Sequence, residues 1–257
     1  MVGINALNLA PATEGEGKLW NFIGIFAKNR EEWAITDLAS MRTSVTIVPF
    51  YDSLGKEALS LIINLAELAT MCIEKSGIET LCKLKETTCP CLRNLVVYDD
   101  ISEEEKKRAS DLELNIYHFK DVLKAGEQSP HVVLRDPTPD TVYMLCFTSG
   151  TTGDAKGSKE THRAFVSNMA FYDNGGFDFT ETDISISYLP LAHVYEQLSL
   201  IKSICHGFAT GYYSGDPLKL LEDVQVLHPT CFFTVPRILN RIHSKILEGV
   251  SQKSGVA

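Results

Sequence analysis

At 257 residues, 44% hydrophobic and 22% charged, the chain has the make-up of a soluble globular protein with one large core or two modest ones. A formal net charge of −9 leaves no basic stripe to neutralise a phosphate backbone, which excludes a nucleic-acid binder; a single nucleotide needs only local amides and one or two cations. The sequence holds neither an uninterrupted apolar run of about 18–20 residues nor the basic start and apolar core of a signal peptide, so no membrane anchor is expected within it.

Short apolar, β-prone runs alternate with segments of helical period. NFIGIFA (21–27) reads as a buried strand, and Glu31–Met41 as a helix with Trp33, Ala34, Leu38 and Met41 on one face. A strand at 45–50, a helix at 56–68 and strands at 69–73 and 93–99 follow. The charged run 99–111 is expected to be a solvated helix face or loop. LRDPTPDT (134–141), with two prolines, predicts a linker between a first α/β half, 1–133, and a second, 142–257. The second half predicts strands at 142–148, 183–189, 208–214 and 231–235, and helices at 162–172, 193–206 and 217–227. A last helix starts at Pro236, a residue suited to the first helical position, and frays into the polar tail GVSQKSGVA. This rhythm predicts an α/β fold: alternating strands and helices forming parallel-type layered sheets, with helices on both faces.

The seven cysteines are odd in number and sit mostly in apolar runs, as buried free thiols of a reduced, cytosol-facing compartment do. Cys89 and Cys91 are too close for a C-x-x-C metal knuckle, and no matching pair lies downstream.

The densest chemistry lies in CFTSGTTGDAKG (146–157). After Phe147, eight of the next ten residues are Thr, Ser, Gly or Lys. Gly150, Gly153 and Gly157 let backbone amides approach a ligand. Successive amides form an anion-binding nest. Thr148, Ser149, Thr151 and Thr152 add hydroxyl donors, and Lys156 a mobile positive charge. Together these predict a polyphosphate site. It is not a Walker A loop, because Gly150 and Gly153 are three apart and Lys156 precedes a glycine.

TSGTTGDAKG resembles the signature of the adenylate-forming, AMP-binding superfamily, which includes acyl-CoA synthetases, luciferases and peptide-synthetase adenylation domains. One of its ten positions departs, Ala155 standing where proline is usual; that removes a backbone constraint but no phosphate ligand. Ser158, Lys159 and Glu160 then occupy positions that are usually small or apolar. YLPLAHVYEQ (188–197) resembles the long-chain fatty acyl-CoA synthetases of eukaryotes. Pro190 should end a strand, so that His193 projects from the start of the next helix, where the dipole favours an anion. FIGIFAKNREEW (22–33), TIVPFYDSLG (46–55), GYYSGDPLKLLEDVQVLHPT (211–230) and TVPRILNRIHSKI (234–246) resemble the same branch in the same order.

The resemblance implies activation of a long-chain fatty acid by ATP to an acyl-adenylate, then transfer to coenzyme A, with Mg²⁺ as cofactor. It implies that the loop amides and Lys156 hold the β- and γ-phosphates, Thr148 and Thr151 lie near Mg²⁺, and His193 lies by the α-phosphate and acyl carboxylate. Tyr195 and Gln197 would stand near the mouth of an acyl tunnel, and Glu196 would be a polar partner at the helix start. The family's Y-G-x-T-E-type segment, ribose-binding aspartate and small C-terminal domain have no counterpart here, and residues 1–10 resemble the middle of a family helix. The expectation is an N-terminal-domain fragment with an incomplete catalytic set. The alternatives are a non-catalytic truncated isoform or partial gene product, or a ligase for another acid such as a bile or aromatic acid. Full-length relatives of this branch are membrane-associated, at the endoplasmic reticulum, mitochondrial outer membrane or peroxisome.

Overall fold

The computed structural model describes residues 1–149 and 155–253. In the first part of the chain lie α1 (Val2–Ala6), β1 (Ala12–Gly15), β2 (Lys18–Phe26), α2 (Glu31–Arg42), β3 (Thr46–Phe50), α3 (Lys56–Leu65) and β4 (Thr70–Ile73). Next come α4 (Ile78–Thr87), β5 (Asn94–Val97), α5 (Glu103–Ser110), β6 (Asn115–His118), α6 (Phe119–Glu127), β7 (Val142–Ser149) and β8 (Ala155–Thr161). The remainder holds α7 (His162–Asn174), β9 (Ile184–Ser187), α8 (Val194–His206), β10 (Ala209–Tyr212), α9 (Leu220–Leu227) and α10 (Pro236–Lys253).

The large sheet runs β6-β5-β4-β2-β3-β7-β8, with β1 beside β2. The strands from β6 to β7 are parallel; β8 and β1 pair antiparallel with their neighbours. Because successive strand residues point to opposite faces, each apolar run feeds two cores. Phe22, Met71, Ile73, Leu95 and Val97 enter the layer with Leu59, Ile62 and Ile63 of α3 and Leu81 of α4. Ile23, Ile25, Ile47, Cys72, Val96 and Tyr143 enter the opposite layer with Trp33 of α2, Phe119 of α6, Phe165 of α7 and Leu200 of α8. Helices therefore cover both faces, as the continuous apolar strands predict.

The chain order across the sheet sets where a site can form. From β2 the chain crosses to β3 on one side, then to β4 on the other, with α2 and α3 on opposite faces. The switch point lies between the carboxyl ends of β2 and β4, whose connections run in opposite directions, to β3 and to β5, and open α/β sheets leave a crevice at such a point.

Four local expectations are corrected. Residues 134–141 carry no helix or strand, but beyond them β7 returns to the large sheet beside β3. The second sheet is the parallel pair β9–β10. Cys231–Val235 is not a strand; one bridge joins Ser185 and Cys231, while Phe232 stacks on Tyr188 and Phe233 on Phe179. These rings are used for stacking, which competes with the ladder their β-propensity suggests. The helix expected from Pro217 starts at Leu220, because Asp216 Oδ1 accepts from Leu218 N and holds a turn. The polar tail expected from Gly249 is helical to Lys253. The charged run 99–111 does form a solvated helix: Ser102 caps α5 in a reciprocal capping box with Glu105. No described helix is long and apolar enough to cross a membrane.

Candidate nucleotide and acyl site

The glycine-rich segment joins an antiparallel hairpin. β7 continues through Ser149 and β8 begins at Ala155, so the strand does not end at Phe147 as its composition suggests. Thr148 pairs with Lys156, Phe147 with Gly157 and Ser149 with Ala155. Gly150, Thr151, Thr152, Gly153 and Asp154, between the two strands, lie outside the described residues. Lys156 is exposed. Gly157 packs on Phe147, where an added Cβ would come within 3.3 Å of the ring, so its small size already serves the hairpin. The unusual residues Ser158, Lys159 and Glu160 also fit this hairpin. Ser158 Oγ donates to Glu160 Oε1 at 2.7 Å, and Lys159 Nζ reaches Glu16 at the β1–β2 turn, also at 2.7 Å. The Lys159 hydrogen bond and charge hold the Glu16 carboxyl below the usual carboxylate range.

The second motif lies over the carboxyl ends of the parallel strands. Asn29, just past β2, donates to Ser187 Oγ at 2.9 Å and to the Leu189 carbonyl at 2.7 Å, and accepts from Leu191 N at 2.9 Å. His193 N donates to the Pro190 carbonyl at 2.8 Å, closing the turn that releases the chain into α8. Tyr51, just past β3, meets the His193 ring edge-on with centroids 6.5 Å apart. Cys146 Sγ lies 3.9 Å from the Ala192 carbonyl, so the turn also abuts β7 two residues before Thr148. Three strand ends and the start of α8 thus converge.

His193 is the exposed N-cap of α8, and its Nδ1 accepts from Tyr195 N at 3.1 Å. With Nδ1 as acceptor, the neutral ring carries its proton on Nε2, a donor suited to an anionic oxygen at a helix N-terminus. Tyr195 is half-buried. Glu196 is buried, and burial pushes its carboxyl up to about 8 against the opposing effect of a Ser187 hydrogen bond. Its Oε2 has no hydrogen-bond partner among the described residues. Gln197, expected near a tunnel mouth, is fully buried: its Nε2 donates to the Leu191 carbonyl at 2.7 Å and its Oε1 faces Tyr143 Oη at 2.5 Å.

Sequence reasoning missed Asn29, Tyr51 and Tyr143. Asn29 and Tyr51 each follow a predicted strand by a few residues, which is the available signal, since ligand-side residues gather at carboxyl ends. Tyr143 sits inside a strand run and carries none. No group of three or more His, Cys, Asp or Glu side chains among the described residues could hold a metal ion.

Comparison with known proteins agrees with this arrangement. The profile of the AMP-binding enzyme family matches residues 17–255. The chain is 36% identical over 230 residues to long-chain-fatty-acid–CoA ligase 5 of Rattus norvegicus, covering 88% of this chain and 34% of that protein. It is 37% identical over 235 residues to the peroxisomal long chain acyl-CoA synthetase 6 of Arabidopsis thaliana, covering 91% and 33%. The chain thus spans about a third of the length of these curated relatives. The adenylation domain of a carboxylate reductase from Mycobacterium chelonae superposes with a TM-score of 0.81 at 18% identity, over 98% of this chain and 39% of that one. The doubly covered parallel sheet, the hairpin at its edge and the match over nearly the whole sequence lead to one assignment: the chain belongs to the AMP-binding enzyme family.

Proposed function

We propose that these residues supply the phosphate-holding hairpin and the histidine turn of an ATP-dependent long-chain fatty acid–CoA ligase. The observation that carries the reading is the convergence of His193, Asn29, Tyr51 and the end of β7 at the carboxyl edge of the sheet, with the hydroxyl- and glycine-rich segment beginning two residues beyond Cys146. The names of the relatives support the choice of a fatty acid and coenzyme A as substrates.

In this reading a fatty carboxylate attacks the α-phosphorus of ATP in line, and the bond to pyrophosphate breaks to leave an acyl-adenylate. The thiol of coenzyme A then takes the acyl group and AMP departs. The difficulty is bringing one anion against another, so the chain's work is placement and charge neutralisation. Lys156, with Ser149, Gly150, Thr152, Gly153 and Gly157, is assigned to the β- and γ-phosphates. Mg²⁺, for which Thr148 and Thr151 are the proposed neighbours, would share the pyrophosphate charge when bound. His193 Nε2–H donates to an oxygen of the α-phosphate or carboxylate, and the helix start adds its dipole. Asn29 acts through the turn, holding His193 where those oxygens gather.

Fatty-acid-dependent ATP–pyrophosphate exchange, with oleate or palmitate, tests the reading on wild type beside Lys156→Ala. A fall of at least about tenfold, or about 1.4 kcal/mol of barrier, is the expected outcome wherever exchange occurs. Equal exchange in both proteins removes Lys156 from the site. No exchange from folded wild type restricts the chain to a binding role.

A further inference from the structure

Beneath the histidine turn lies a chain of buried polar groups that the proposed chemistry does not use. Asp37 of α2 and Gln197 of α8 are fully buried, and Tyr143 of β7 stands between them. Tyr143 Oη lies 2.7 Å from Asp37 Oδ1 and 2.5 Å from Gln197 Oε1. The orientation of the Gln197 amide is settled by its other end: Nε2 must face the Leu191 carbonyl at 2.7 Å, since a reversed amide would set two carbonyl oxygens together. Tyr143 therefore has one hydroxyl proton and two acceptor neighbours. With Asp37 ionised, one of the two contacts would be lone pair against lone pair in a dry interior. With Asp37 protonated on Oδ1, both contacts become hydrogen bonds.

We propose that Asp37 is a neutral carboxylic acid in the folded chain, donating to Tyr143, which donates to Gln197 and so positions the Leu191–His193 turn. Other features agree. Asp37 Oδ2 is buried without a partner among the described residues, tolerable for a neutral carbonyl and costly for an anion. Asp37 forms no ion pair with a described Lys or Arg. Burial pushes its carboxyl up to about 7, against the opposing effect of the Tyr143 hydrogen bond. The connection runs along one face of the large sheet, from α2 past Tyr143 of β7 to the segment that carries His193. Asp37 and Tyr143 are positioning residues, acting on the turn through Gln197.

The titratable groups around Asp37 are Tyr143 itself, His162 of α7 against the Tyr143 ring at 5.8 Å, and Tyr212 of β10, which is also near Glu196 of α8 and Glu31 and Glu32 of α2. Glu196 and His162 also titrate, so the test compares wild type with Asp37→Asn, in which both persist. The sign follows from linkage. A carboxyl raised from 3.8 to about 7 binds its proton in the folded state while the unfolded chain has lost it. Its contribution is therefore complete at low pH and is lost as pH rises from about 4 through about 7. Urea unfolding between pH 5 and 8 should show the wild-type folding constant falling about tenfold per pH unit relative to Asp37→Asn up to pH 7, then running level. Parallel curves overturn the proposal.

The positioning role has its own readout. Asp37→Asn retains a donor toward Tyr143, so amide hydrogen exchange of residues 191–197 should stay within about twofold of wild type, while Tyr143→Phe should accelerate it at least tenfold. Equal acceleration in both variants overturns the positioning. Should neither variant fold, carboxyl-carbon resonances of the wild-type chain decide: one aspartate must titrate near 7, and the absence of any titrating above pH 6 refutes the protonated state. None of these readouts requires ligase activity, so they stand or fall apart from the proposed function.

Discussion

Single residues do much of the joining in this chain. Asn29 satisfies three partners around Ser187–Leu191, linking the end of β2 in the large sheet to the strand and turn of the small one. Alanine there leaves the amide of buried Leu191 and the half-buried Leu189 carbonyl without that partner, and the expected cost is about 2–3 kcal/mol, read as a shift in the urea midpoint with unchanged slope. An unchanged midpoint would mean water replaces the asparagine without loss. His193 was legible from the motif around it, whereas its accepting Nδ1 was not, because that depends on the backbone of Tyr195. Gln197 shows the limit most clearly. Its place one turn into a helix after His193 suggested a ligand-facing side chain, but helical phase alone does not say which neighbour closes over it. Tyr143 does so, from 54 residues away.

At the scale of elements, α8 is the piece that carries the candidate site, and its two ends are held differently. His193 caps the start with its ring, and Gly207 ends the helix at φ +75°, the left-handed conformation open to glycine at little cost. An added Cβ at Gly207 would meet only Glu181 Cβ at 3.9 Å, so packing is not the constraint. Gly207→Ala should therefore cost about 1 kcal/mol through backbone strain alone. Thermal melting would check this, and Gly207→Asn should be milder because asparagine tolerates that region. Most strands and helices were legible to within a few residues from their apolar period, since burial on both faces imposes uninterrupted apolar runs. The hairpin β7–β8 was not: hydroxyls and glycines that suit a phosphate also suit a turn, and only the pairing of Ser149 with Ala155 shows where the strands stop.

For the molecule as a whole, the two sides of the large sheet are well covered while α10 is not. Leu239, Ile246, Leu247 and Val250 are each more than half exposed along α10. Apolar surface of this kind favours association. The chain alone should self-associate with rising concentration in sedimentation velocity, and Leu239→Lys with Ile246→Lys should shift it toward monomer. A wild-type chain that stays monomeric throughout would refute this.

The amino-acid sequence by itself determined the fold class, most of the strands and helices and the membership implied by TSGTTGDAKG and LPLAHVYEQ, because local period and motif spacing are carried by neighbouring residues. Only the tertiary structure decided that β7 rejoins the first sheet, that Asn29 and Tyr51 meet the histidine turn at the carboxyl ends of β2 and β3, and that Asp37, Tyr143 and Gln197 form one buried connection. Those contacts join segments far apart in the chain, and which of them form depends on strand order and helix packing.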